Sequence, residues 1–330
     1  MSPLTIIDHA DDLASLPAGP VEPLEPAAFH LTTPSRHLAL QDRAGRLIAR
    51  CSLWRARDHH GAPTTTGLIG HYAAADADAG NELLEHATTW HRADGCDRLI
   101  GPMDGSTWHR YRLLTERGTE PAFFLEPDNP DDWPGHFASA GFVPLATYFS
   151  ALNADLTRCD PRSDQRRAEL ERDGITVRKI DIDRFEAELA AIHELSLVAF
   201  AGNLLYSPIR LEAFLASYAP IRPHLVPDLV LLAERGGQLV GFIFAIPDLM
   251  EPARGGPQRT AVVKSMAVHP TCAGKGLGGL LMDDCQQAAR KLGFERAIHA
   301  LMHETNRSRG ISARYGKTIR RYTLYGKALT

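Results

Sequence analysis

Residues 262–294, VVKSMAVHPTCAGKGLGGLLMDDCQQAARKLGF, carry a β-branched strand into a proline, a glycine-rich turn and an amphipathic helix. Glycines 274, 276, 278 and 279 fall within six residues at the strand-to-helix junction, more than a tight turn requires. A helix N-terminus presents unpaired N–H groups and the positive end of its dipole, so this junction aims donors at an anion. Glycines let that anion come close. Two phosphate loops are excluded by spacing. A P-loop needs GxxxxGK[ST], which Gly274-Lys275-Gly276 does not supply. A dinucleotide fingerprint needs GxGxxG in a parallel strand–turn–helix unit, and the glycines here are spaced differently behind hairpin-joined strands.

Such a turn needs a strand before it and a helix behind it, and hydrophobic periodicity predicts both. The apolar run 260–268 ends at His269-Pro270; Leu277, Leu280, Leu281, Cys285, Ala288 and Leu292 then form one helical stripe stopped by Gly293. Upstream, 175–180 alternates as a strand and Phe185, Leu189, Ile192 and Leu195 recur at helical spacing. The loop AFAGNLLYSP and the short helix IRLEAFLASY follow, and the runs 228–234 and 238–246 make a hairpin through Arg235-Gly236-Gly237. Downstream come a strand over 295–303, a short helix in SRGISARYG and the terminal strand KTIRRYTLYGKAL. The N-terminal half shows a hairpin around Arg43-Ala44-Gly45, a third strand TGLIGHYAA, a helix over 81–93 and a strand over 97–102. The shared order points to a divergent duplication, with a polar linker between the halves. The expected division is 1–156, linker 157–174, and 175–330.

The segment VKSMAVHPTCAGKGLGGLL resembles the acyl-CoA site of the GCN5-related N-acetyltransferase (GNAT) superfamily, whose signature [RQ]xxGx[GA] follows its fourth strand. Gly276 and Gly278 fill the last two signature positions, and Ala273 stands where the family has Arg or Gln. The resemblance extends from Ile175 to Leu329. It implies an α/β fold of two acyl-CoA N-acyltransferase (GNAT-like) domains, each a mixed, mostly antiparallel sheet flanked by helices, the first lacking a CoA motif. It also implies that Met266, Ala267 and Val268 line the pantetheine, that Ala273, Gly274, Lys275, Gly276, Leu277 and Gly278 surround the pyrophosphate, and that Asn306 of HETN contacts the cofactor. The Val268 N–H becomes the oxyanion donor. The family's strand-four Glu is replaced by Lys264, leaving a water relay or Glu304 as base. The family's acid is a Tyr, matched here by Tyr315 or, counting back from Gly316, by Ser312. Asn203 and Tyr206 lie where the superfamily forms its acceptor wall. His299 and His303 share a strand face, but with no third ligand nearby they read as ordinary polar residues.

In the first half, AAADADAG places two acids and one glycine before the helix, and carboxylates there repel pyrophosphate. Pro102, Asp104, Ser106, Trp108 and Tyr111 of RLIGPMDGSTWHRYRL either line a groove toward the second half or build the interface; the interface is the expectation. A net charge of −4 argues against nucleic acid, and so against an aminoacyl-tRNA-dependent transferase. The five cysteines show no CxxC and no zinc spacing, so no metal is expected. An acidic start and the lack of a long apolar run point to an unanchored cytoplasmic protein. The expected function is transfer of an acetyl or short acyl group from acetyl-CoA to a primary amine of a small acceptor, by direct attack in a ternary complex. A CoA-binding sensor or scaffold without chemistry is the alternative, motivated by Ala273 and Lys264.

Overall fold

The computed structural model describes residues 2–58, 60–306 and 308–329. In the first half, β1 (Leu4–Ile7), α1 (Pro26–Thr32), β2 (Arg36–Gln41), β3 (Leu47–Arg57), β4 (Pro63–Ala74), α2 (Ala77–Ala93), β5 (Arg98–Gly101), β6 (Leu113–Glu116), α3 (Trp133–Ser139) and β7 (Val143–Asn153) follow in order. After α4 (Ser163–Arg172) come β8 (Ile175–Lys179), α5 (Phe185–Ala199), α6 (Leu211–Tyr218), β9 (Val230–Arg235), β10 (Gln238–Pro247), α7 (Met250–Ala253) and β11 (Thr260–Val268). The chain ends with α8 (Leu277–Lys291), β12 (Arg296–His303), α9 (Ser308–Ser312) and β13 (Lys317–Ala328).

These strands form one mostly antiparallel sheet in the order β1-β2-β3-β4-β5-β13-β7-β12-β11-β10-β9-β8, with β6 also beside β13. The two ends mirror each other. Each half contributes five consecutive strands, whose fourth and fifth are parallel (β4 with β5, β11 with β12) and joined by a helix. The last strands are exchanged: β7 pairs with β12, and β13 pairs with β5. β7 and β13 pair with each other along most of their length, so backbone hydrogen bonds bind the halves through the middle of the sheet.

Amphipathic helices cover the sheet as their patterns require. Leu83, Leu84 and Ala87 of α2 pack on Leu38, Cys51 and Leu99. Leu277, Leu280, Leu281 and Cys285 of α8 pack on Ile243, Ala245 and Ala261. Ala289 rather than Ala288 closes that stripe, and Leu292, past the last turn, is exposed. One N-terminal acid has a structural use: the Asp76 carboxylate accepts the Ala79 N–H at 2.9 Å and caps α2. The polar linker holds α4 against α8, clipped by Lys275–Asp173 at 2.7 Å. Among the described residues, no helix is long and apolar enough to cross a membrane.

Candidate functional site

β11 and β12 pair only from Thr260 to Val263 and from Arg296 to His299, and beyond this the partnership ends, leaving a fork. The His269 N–H donates to Val240 O, and Ala267 and Ser265 stand opposite Phe242 and Phe244. In an antiparallel ladder alternate N–H groups face opposite ways, so those of Val268 and Met266 point away from β10, toward the fork. On its other arm, β12 breaks register between His299 and Met302, with Leu301 left-handed at φ 58°. A leucine in that conformation is strained unless its neighbours fix it. Here the Ser150 hydroxyl accepts the Leu301 N–H at 3.2 Å, and Arg112 donates to its carbonyl at 3.4 Å.

The glycine turn closes the end of β11. Gly274 and Gly276 are left-handed, at φ 81° and 84°, and Gly276 starts α8 with no side-chain cap on the first N–H groups. A Cβ on Gly276 would meet Arg166 Cδ at 3.0 Å, and one on Gly278 would meet Ile311 Cδ1 at 3.2 Å. Two guanidiniums therefore adjoin the turn, because a Cβ on Gly279 would lie 3.3 Å from Arg166 Nη1 and 3.5 Å from Arg314 Nη1. Both donate to Asp160, at 2.7 and 2.9 Å, and that carboxylate is held well below the usual range by hydrogen bonds from Arg162 and Arg166. Positive charge absent at Ala273 is thus present nearby. No sequence signal gave it, since Arg166 comes from the linker and Arg314 from beyond β12.

Inside the fork, Lys264 donates to Leu125 O at 3.1 Å, and burial, reinforced by the Arg112 guanidinium, pulls its ammonium down to about 8. Leu125 belongs to a strap from the first half. Phe123 is buried against Val262 and Ile298, and the Phe124 N–H donates to Asp248 at 2.8 Å. The Arg112 guanidinium lies 3.8 Å from the Tyr111 ring centroid and 3.9 Å from that of Tyr148, whose edge meets His303 at 4.9 Å. Trp108 reaches into the second half among Phe200, Tyr206 and Phe214 and donates to Ser207 O at 2.7 Å. Tyr206 is buried there, and its hydroxyl has no protein partner.

The residues named for proton transfer do not gather in one place. Tyr315 is packed in the core and donates to Asp283 Oδ1 at 3.1 Å; burial raises its phenol. Ser312 is buried 2.7 Å from His299 Nδ1, while His299 Nε2 lies 3.3 Å from Gln286 Oε1. Because that oxygen can only accept, Nε2 carries the hydrogen and Nδ1 accepts from Ser312. Burial lowers His299 to about 4, so it stays neutral. The bulge at Leu301 separates it from the half-buried His303. Glu304 pairs with Arg321, and Asn306 accepts the Ser308 N–H at 3.2 Å at the start of α9. Asn203 is exposed in its loop. Among the described residues the one His/Cys/carboxylate group with metal-ligand reach is His91, Asp94 and Cys96, at the far end of α2, where Asp94 is already paired with Arg55 at 2.6 Å.

Residues 190–314 match the model of the Acetyltransferase (GNAT) family. The Bacterial ceramide synthase of Caulobacter vibrioides (strain NA1000 / CB15N) is 27% identical over 220 residues, covering 65% of this chain and 56% of that protein. The chain thus spans little more than half the length of that curated relative. The fold is shared with a GCN5-related N-acetyltransferase from Sphaerobacter thermophilus (TM-score 0.52, 14% identity, 89% of this chain and 80% of that one). It is also shared with a tandem GNAT protein from the clavulanic acid biosynthesis pathway (TM-score 0.50, 13% identity, 99% of each chain).

Proposed function

We propose, from the premise that residues 190–314 belong to the acetyltransferase (GNAT) family, that the protein transfers an acyl group from acyl-CoA to a primary amine in the fork between β11 and β12. The observation that carries this reading is the continuity of two sets of free donors. The Met266 and Val268 N–H groups line the open edge of β11, which leads directly into the uncapped N-terminus of α8. A pantetheine amide suits the first set and a pyrophosphate the second, where the N–H groups of residues 276–279 combine with Arg166 and Arg314.

In this arrangement the Val268 N–H donates to the thioester oxygen as it gains charge. The amine lone pair attacks the carbonyl carbon, a C–N bond forms, and collapse of the tetrahedral intermediate breaks the C–S bond. The amine loses a proton to water or to Glu304, and the thiolate takes one up. With the hydroxyls of Tyr315 and Ser312 directed at Asp283 and His299, a fork water is the readier proton source.

The relative's name supports one class of acceptor. A ceramide is the amide of a long-chain amino alcohol, so an amphiphilic long-chain amine is the first acceptor to try, with long-chain acyl-CoA beside acetyl-CoA as donor. Trp108, Phe200 and Tyr206 offer the apolar wall such an acceptor needs. Calorimetric titration of acetyl-CoA and a long-chain acyl-CoA into wild type and Gly276→Asp tests the donor site, followed by an amine screen. Binding lost in the variant supports the reading, and no binding by wild type sinks it. A second reading, a CoA-binding sensor, is favoured by the cation of Lys264 in the fork; binding without turnover on any amine would select it.

A further inference from the structure

The first half has its own fork, and it is charged. β4 and β5 pair only from Thr66 to Leu68 and from Arg98 to Ile100. Beyond that pairing His71 is left-handed at φ 47°, and its N–H donates to Asp104 Oδ1 at 2.6 Å. A pocket of about 150 Å³ opens there, lined by Arg50, His71, Asp104, Arg110, Tyr111 and Arg112 among others.

The three guanidiniums are the unusual feature. Arg50 donates to Glu22 O at 2.8 Å and to His71 O at 2.5 Å, Arg110 to Asp128 O, and Arg112 to the carbonyls of Tyr111 and Leu301 at 3.2 and 3.4 Å. All of these partners are backbone carbonyls. Among the described residues none of the three is within 4.0 Å of a carboxylate oxygen, although Arg112 is only 6% exposed. Among the described residues the other buried arginine, Arg320, is paired with Glu126. Asp104, the one acid lining the pocket, faces His71 Nε2 at 3.8 Å. His71 is itself held by Ser52 Oγ at 2.9 Å and is kept uncharged by burial. Three guanidiniums against one carboxylate leave a net charge of +2. Gathering like charges around the buried Arg112 with a single counter-charge is unfavourable, and an anion entering the pocket would relieve it. Carbonyl contacts fix the guanidiniums in place, and planar donor forks suit an oxyanion.

We propose that this pocket of the N-terminal half is a binding site for a small oxyanion of phosphate size, held by Arg50, Arg110 and Arg112. Its volume suits a phosphate group and not a nucleotide. The anion is either free phosphate or a phosphate carried by a larger molecule. The site is separate from the glycine turn and does not depend on the acyltransferase reading. Because the other edge of Arg112 holds Leu301 on the arm of the catalytic-side fork, an occupant would also steady that arm.

The test is calorimetry and thermal denaturation of the full chain with sodium phosphate, against sodium chloride at equal ionic strength. Wild type should bind phosphate with a sub-millimolar Kd and gain thermal stability. Arg50→Gln and the exposed Arg110→Gln should each weaken binding tenfold or more, while the remote Arg43→Gln should not, and the same ranking should hold in a Gly276→Asp background that keeps phosphate off the glycine turn. O-phosphoethanolamine, titrated into the Gly276→Asp background, forms the second arm. Tighter binding than inorganic phosphate assigns the site to a phosphate on a larger molecule, and equal or weaker binding assigns it to the free ion. No phosphate effect beyond that of chloride, or equal binding by Arg110→Gln and wild type, overturns the proposal.

Discussion

Arg320 of β13 and Glu126 of the first half's strap lie 3.0 Å apart, with 1% of either side chain exposed. The same carboxylate oxygen accepts the Tyr322 hydroxyl at 2.5 Å, and Arg320 also donates to the carbonyls of Glu120 and Pro121. The strap that supplies Leu125 to Lys264 is therefore fastened by a buried ion pair. Removing one partner leaves the other charge desolvated and unpaired, so Glu126→Ala should lose about 3–5 kcal/mol of unfolding free energy. In urea denaturation, Glu126→Gln combined with Arg320→Met should recover part of that loss; a Glu126→Ala variant as stable as wild type would contradict the pairing.

Two glycines of the turn separate strain from contact. Gly274→Ala meets nothing within 4 Å and suffers only from φ 81°, a penalty of about 1–2 kcal/mol. Gly276→Ala bears the same penalty at φ 84° and also presses on Arg166 Cδ at 3.0 Å. Acyl-CoA titration should show the greater loss for Gly276→Ala, and equal losses would separate Arg166 from the donor site.

Lys264 gives a pH signature. Its folded pKa, about 8, lies below the ordinary lysine value, so the unfolded chain binds more protons between about pH 8 and the ordinary lysine range. Wild-type stability should therefore rise with pH across that window. Lys264→Met should exceed wild type at pH 7, with the difference narrowing above pH 8. Denaturation midpoints from pH 6 to 10 measure this, and a constant difference would mean the ammonium is well solvated.

Asp160 predicts the opposite limb. Hydrogen bonds from Arg162 and Arg166 depress its folded pKa, so its contribution is present above the ordinary carboxylate range and lost as pH falls below it. Asp160→Asn should be less stable than wild type at pH 7 and converge with it in acid. Parallel acid-unfolding curves would argue against the cluster.

Trp108→Ala should weaken the contact between the halves by up to about 3 kcal/mol, less than full burial would give because the ring is partly exposed. If the acceptor uses that wall, KM for the amine should rise more than kcat falls. An unchanged KM would make Trp108 a purely structural wedge.

Much of this was legible from local pattern. The glycine turn, the strand before it and the stripe of α8 as far as Cys285 are fixed by steric and hydrophobic rules that act over a few residues, and each appears where local pattern put it; only the end of the stripe differs, at Ala289. The strap over 120–126 was not legible, because its backbone is satisfied by Asp248, Lys264 and Arg320 from another part of the chain. The left-handed Leu301 was equally hidden, since no residue type announces a bulge held by Ser150 and Arg112. Assigning Tyr315 or Ser312 as acid depended on counting along a helix, whereas their hydroxyl partners Asp283 and His299 come from α8 and β12.

The sequence by itself determined the fold class, the order of most elements of the second half and the place of the glycine turn, because strand alternation, helical periodicity and glycine's freedom at positive φ are local properties. Tertiary structure alone decided the exchange of β7 and β13, the charge that Arg166 and Arg314 bring to the turn, and the unpaired arginines in the first fork. Each of these depends on which distant segments the sheet sets side by side, and hydrogen bonding and charge act through that proximity.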